Sequence, residues 1–234
     1  MQYLMLVRVD PDLAAATTSE ERDEPVAWIA EGVELGLRIQ GDPLDEPDAA
    51  LVVRARGGRT VTAPGPFARP REAITGFDLL EAPDLPTAVD YASRHPAASF
   101  GAIEVRELRD EFFPGSPQRP EGEEHLLLHV PTADGDRTPT DPIPDMAAWQ
   151  AGVERSGATL GGARLRAADD ATAATVRRRD GEVLITRGPF AELAEQVAGI
   201  DLVRVADLDE AIALAAAHPT ATYGAIEVRP LVVM

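Results

Sequence analysis

Tyr3-Leu4-Met5-Leu6-Val7 and Leu126-Leu127-Leu128-His129-Val130 are short apolar runs, each closed by a turn-prone Asp-Pro or Pro-Thr, and they predict two buried strands. After the first run, apolar residues recur at helical spacing: Val26, Ile29, Val33 and Leu37. With Ser19 as cap and Gly36 as terminator they predict a helix over 20–36. A weaker counterpart spans 143–156, where Trp149, Gly157, Gly162 and Leu165 follow Trp28, Gly36, Gly41 and Leu44 at an offset of 121 residues. A hairpin comes next, with Leu51–Arg56 and Thr60–Thr62 flanking Gly57-Gly58; the later copy turns at Asp180-Gly181. Strands are expected at 75–82 and 197–205. Each leads into a helix capped by Asp84 or Asp207 and stopped at His95-Pro96 or His218-Pro219. An Ala-Ile-Glu-Val-Arg strand closes each copy.

These elements occur twice because the chain is a duplication. In the window from Gly65 to Arg106, 21 of 42 positions are identical, without a gap, to Gly188 through Arg229. The repeats are read as 1–108 and 123–234, joined by a proline-rich linker at 109–122. The expected fold class is α+β: two tandem ferredoxin-like βαββαβ domains, each an antiparallel sheet with both helices on one face. Such a plan leaves the other sheet face bare, and the second copy is its natural cover. The chain is therefore expected to act as an intrachain pseudo-dimer, with a homodimer of chains left open.

With 22 basic and 40 acidic residues, a net charge of -18 repels phosphate backbones and anionic lipid, so neither nucleic acid nor membrane is an expected partner. Cysteine is absent, which removes disulfides, thiolate metal sites and cysteine nucleophiles. Every basic residue is arginine, so Schiff-base and phosphate-loop lysine chemistry is impossible. No apolar stretch is long enough for a membrane span and the N-terminus has no signal-peptide pattern; a cytoplasmic location is expected. No cofactor and no metal is implied by any motif.

Strand alternation selects the candidate residues. If Ile103 and Val105 face the helices, then Glu104 and Arg106, with Glu227 and Arg229, face the other way. Such pairs either hold an anionic or carbonyl group or form a structural ion-pair network. His129 is matched with Leu6 and is expected on that same face beside Glu227 or Arg229, either as a general base or as a hydrogen-bonded structural residue; Asp78 and Asp201, if they face the same way, are further acids or, equally, partners for Arg106 and Arg229. His125, nearer the strand start, is expected to be solvated. His95 and His218 are read either as cations at helix C-termini or, for His218, as a substrate contact. Trp28, Trp149, Phe67 and Phe190 are expected in the core.

The Gly-Pro-Phe-Ala turns, the Gly-Phe-Asp-Leu strand, the Asp-Leu caps, the Ala-x-x-His-Pro helix ends and the Ile-Glu-Val-Arg strands resemble the YCII-related family, specifically its DGPF subgroup. The resemblance covers both copies and implies a dimeric α/β barrel whose two halves the tandem copies would supply. Members of the wider superfamily include isomerases, dehydrochlorinases, cyclases and monooxygenases. The aspartate that names the DGPF motif is replaced by Pro64 and Arg187. The second copy keeps Glu192 and Glu195 after Phe190, whereas the first has Arg69 and Glu72. This asymmetry points to the second copy as the seat of function. The expected function is binding of a small organic molecule between or beside the sheets, with cofactor-free proton transfer in which Glu227 and Arg229 orient the ligand. The alternative is a non-catalytic ligand-binding or regulatory module, since DGPF proteins neighbour alternative sigma factors.

Overall fold

A computed structural model describes residues 1–17, 25–67, 72–114, 121–131, 145–169, 171–190 and 197–232. The first repeat builds β1 (Gln2–Val9), α1 (Pro11–Ala16), α2 (Pro25–Glu34), β2 (Arg38–Pro43), β3 (Leu51–Arg56), β4 (Arg59–Pro64), β5 (Ala73–Glu81), α3 (Leu85–Ser93) and β6 (Gly101–Glu107). A two-residue strand, β7 (Phe113–Pro114), follows. The second repeat gives β8 (Glu123–Pro131), α4 (Met146–Ser156), β9 (Thr159–Arg164), β10 (Ala173–Arg179), β11 (Glu182–Arg187), β12 (Gly199–Val205), α5 (Leu208–Ala217), α6 (Thr220–Tyr223) and β13 (Gly224–Pro230). The expected cap Ser19 lies outside the described residues, but the capping carboxylates hold: Asp84 accepts from Thr87 N, Asp207 from Glu210 N and Asp145 from Ala147 N.

Two antiparallel sheets result, in the orders β11-β10-β6-β1-β5-β2 and β4-β3-β13-β8-β12-β9-β7. Four strands of each, β6-β1-β5-β2 and β13-β8-β12-β9, have the ferredoxin-like arrangement, in which first and last strands are neighbours. The strands β2 and β9, absent from the sequence reading, complete it; their Gly-rich sequences, RIQGDP and TLGGAR, carry no alternation to signal them.

The hairpins cross over. β3–β4 of the first repeat adds to β13 of the second, with Val52 opposite Glu227; β10–β11 of the second adds to β6 of the first, with Thr175 opposite Glu104. Each hairpin covers an edge that the four-stranded core would leave open. The compact units accordingly differ from the repeats: one comprises 1–44, 69–111 and 165–190, the other 45–68, 112–164 and 191–234. An arginine at the turn end secures each hairpin. Arg56 donates to the carbonyls of Ala221 and Gly224 at 2.6 and 3.0 Å, and Arg179 to those of Ala98 and Gly101 at 2.9 and 3.0 Å.

In each unit the helices pack on one sheet face. The first core gathers Tyr3, Met5, Val7, Trp28, Leu80, Ile103 and Val105, and the second Leu127, Trp149, Val153, Val203, Ile226 and Val228. The helical stripe proposed for α2 is displaced: Val26 and Val33 are exposed, and Trp28 and Gly32 are the buried pair. Gly32 is needed there because the Tyr91 ring, stacked on Trp28 at 4.3 Å, occupies the space of a side chain. Phe67 and Phe190 are half-buried rather than core residues, each beneath an arginine, Arg54 at 5.3 Å and Arg8 at 4.4 Å.

Candidate functional site

Register decides which side chains meet. His129 stands opposite Ile226 and Leu127 opposite Val228, so His129 shares the helix-side face with these core residues. Glu227 and Arg229 oppose Leu128 and Leu126 on the other face. The expected neighbourhood of His129 with Glu227 and Arg229 is therefore overturned. In the first unit Leu6 opposes Glu104 and Val7 opposes Ile103, which makes Val7 the counterpart of His129 at an offset of 122, one short of the 123 that relates β5 to β12 and β6 to β13. A slip of one residue moves every side chain to the opposite face. His125, expected in solvent, is buried on the helix side with its charged form disfavoured by burial.

On that face the second unit assembles His129, Asp201 and His218. His129 Nε2 lies 2.7 Å from Asp201 Oδ2, and His218 Nε2 lies 3.7 Å from the same oxygen. The imidazole centroids are 4.1 Å apart, and Trp149 meets His218 edge-on at 4.5 Å while donating its Nε1–H to the Leu214 carbonyl. Two glycines make room: a methyl group on Gly162 would collide with Asp201 Oδ1, and one on Gly199 would stand 2.7 Å from His129 Nδ1. Burial pushes the Asp201 carboxyl above its ordinary range, and the His129 contact pulls it back down.

His218 is not a cation. It is fully buried, and desolvation together with nearby His129 drives its pKa to about 2. Its Nδ1 accepts the Thr220 N–H at 3.1 Å, so the neutral ring carries its proton on Nε2, which is buried and has no hydrogen-bond partner among the described residues. The reading of His218 as a charged helix terminus is corrected: it caps the following α6 as an acceptor. The same tautomer argues against a metal. The three side chains place ligand atoms within 4.8 Å of one another. Yet a protonated Nε2 has no lone pair to give, and moving the proton to Nδ1 would set it against the Thr220 N–H.

The first unit treats its corresponding aspartate differently. Asp78 receives Arg38, Nε to Oδ1 at 2.7 Å, and the same guanidinium donates to the Gly41 carbonyl at 2.6 Å. Burial still lifts the Asp78 carboxyl to about 7 against the pull of Arg38. His95 repeats the capping geometry of His218, accepting from Ala97 N at 3.1 Å, and burial lowers its pKa to about 4. At the register of Arg38 the second unit has Thr159, opposite Val203 as Arg38 is opposite Leu80. A cleft remains there, lined by Trp149, Gln150, Val153, Glu154, Thr159 and Asp201. Among the described residues Asp201 Oδ1, the atom that holds arginine in the first unit, accepts no hydrogen bond.

The remaining site residues form buried ion pairs on the opposite sheet faces. Glu104 binds Arg8 at 2.9 Å and Arg106 at 3.3 Å, and Arg106 also donates to the Arg166 carbonyl. Glu227 binds Arg229 at 3.4 Å and accepts the Phe67 N–H at 2.7 Å, while Arg229 reaches the Asp45 carbonyl at 2.9 Å. Glu227 thus anchors the end of the exchanged hairpin. Arg8, Arg38 and Thr159 were not singled out from the sequence, where a lone arginine on a strand carries no distinguishing signal.

In a comparison against family models, residues 1–111 and 125–234 each match the YCII-related domain. The chain belongs to the YCII-related family. A 61-residue stretch, 25% of this YCII-related chain, is 44% identical to an uncharacterized protein of Rhizobium meliloti (strain 1021) and covers 49% of it. The match thus spans about half the length of that relative. Among the described residues of this YCII-related protein no helix is long and apolar enough to cross a membrane.

Proposed function

We propose that the second unit binds a small organic molecule in the cleft beside Asp201 and transfers a proton on it without a cofactor. One observation carries this reading: Asp201 lines the cleft and offers two inequivalent oxygens, Oδ2 held by His129 and Oδ1 accepting no hydrogen bond among the described residues. A carboxyl raised by burial exchanges protons nearer neutrality than a solvated one, as acid–base work requires. The roles differ from the sequence reading. Asp201 is the group that meets the ligand, His129 positions and tunes it, and neutral His218 packs against the His129 ring. Arg106, Glu104, Glu227 and Arg229 serve the sheets and the hairpins. The reading extends to a cytoplasmic protein of the DGPF subgroup, whose sheets pair as an α/β barrel.

The test is solvent hydrogen exchange. A metabolite mixture is incubated with the protein in D2O, returned to H2O, and the compounds that retain carbon-bound deuterium beyond a protein-free control are identified by mass. Exchange lost in Asp201→Asn and slowed, with a shifted pH profile, in His129→Gln is expected; any exchange that survives Asp201→Asn removes the proposal.

A further inference from the structure

The first unit contains, within its own chain, what the cleft of the second unit lacks. Arg38 and Thr159 occupy the same register on β2 and β9, and Asp78 and Asp201 the same register on β5 and β12. Both carboxylates lean over a glycine, Gly41 or Gly162, whose missing side chain leaves room for Oδ1. In the first unit a guanidinium fills the space, with one N–H on Asp78 Oδ1 and another on the Gly41 carbonyl. In the second unit Thr159 is too short to do so, and Asp201, with only 7% of its surface exposed, lines the cleft with its Oδ1 over Gly162 and, among the described residues, without a hydrogen bond. The surroundings have changed in the same sense. The exposed apolar Val33 of α2 is replaced at the rim by the carboxylate of Glu154, and Ile29 by Gln150, while Trp149 supplies an aromatic wall. Loss of a fixed cation and gain of a carboxylate at a tryptophan-lined cleft create a site for positive charge.

We infer that the Asp201 cleft binds a small molecule carrying a guanidinium, amidinium or alkylammonium group, which takes the place that Arg38 holds in the first unit. This names the ligand class of the site proposed above and rests on that reading for the location of the cleft, though not for turnover. The cationic nitrogen donates an N–H to Oδ1. The planar fork of a guanidinium matches the carboxylate and neighbouring carbonyl better than a point charge, so guanidinium compounds are the tighter class.

The probe is methylguanidinium, with neutral methylurea as its isostere. Binding is read from the indole Nε1–H resonance of Trp149, one of two tryptophans in the chain. Saturable binding of methylguanidinium with little or none of methylurea is expected. Thr159→Arg, which restores the arginine of the first unit and supplies Asp201 with an internal partner, is expected to weaken binding about tenfold or more, and Asp201→Asn to do the same. Methylurea binding as well as methylguanidinium, no saturable binding of either, or undiminished binding in a folded Thr159→Arg protein would each overturn the inference. Binding of the cation with no deuterium exchange sinks the catalytic proposal alone; exchange confined to neutral compounds, without cation binding, sinks this inference alone.

Discussion

Replacing Arg38 by Met isolates the charge that separates the two units, because Met preserves much of the aliphatic stem and removes the guanidinium. Asp78 would then keep its place over Gly41, with 5% of the residue exposed, but lose the 2.7 Å contact to Nε. Breaking a buried pair by removing one partner costs about 3–5 kcal/mol, since the remaining charge has neither water nor counter-ion. The cost depends on pH in a definite direction. The Asp78 carboxyl already titrates at about 7 in the folded protein against 3.8 ordinarily. Without Arg38 it titrates higher still, so between these values the folded state binds more protons than the unfolded chain. Stability therefore falls as pH rises through that window, at about 1.4 kcal/mol for each further unit by which the folded value is raised. Urea unfolding at pH 8.5 and pH 5.5 should show a penalty at the upper end of the range in the first condition and at most about half of it in the second. Adding Asp78→Asn to Arg38→Met should recover most of the loss at pH 8.5. Equal penalties at both pH values, or no recovery in the double variant, would refute the account of Asp78 as a buried carboxylate dependent on Arg38.

The buried histidines predict an acid-side loss of stability. His95 takes up its proton at about 4 when folded and 6.5 ordinarily, so its contribution is complete above 6.5 and declines by about 3 kcal/mol as pH falls towards 4. The stability gap between the protein and His95→Gln should narrow by that amount over this range in urea titrations, and parallel curves would count against it. At the exchanged hairpin, Glu227→Ala removes the acceptor of the Phe67 N–H and the partner of Arg229, at a cost of about 1–3 kcal/mol. Amide exchange at Phe67 should accelerate about tenfold or more; an unchanged rate would show that the hairpin is held without Glu227.

Much of the architecture was legible in the chain. The identical window from Gly65 to Arg106 and from Gly188 to Arg229 spans two strands, a helix and the His-Pro turn of each copy. Within it the Asp caps and a helix ended ahead of proline agreed with the final structure, as did the turns at Gly57-Gly58 and Asp180-Gly181 just before it. The candidate site was half legible. Asp201, His129 and His218 were singled out, but with His129 assigned to Glu227 and Arg229 on the face away from the helices. The cause lies in the first strands, where β1 and β8 are buried on both faces and read as unbroken apolar runs, with no period of two to reveal which side chain points where.

The sequence by itself determined the duplication, the α+β class, the element types that follow from local capping and turn chemistry, and the absence of lysine and cysteine chemistry. Those properties rest on residues close together in the chain. Tertiary structure decided the exchange of hairpins, the one-residue register difference that turned His129 towards the helices, and the choice of Arg38 or His129 as partner for the corresponding aspartates. Each of these joins residues 37 or more positions apart, and strand pairing, which is satisfied equally well by any apolar neighbour, becomes specific only when the whole sheet and the helices above it close around the buried charge.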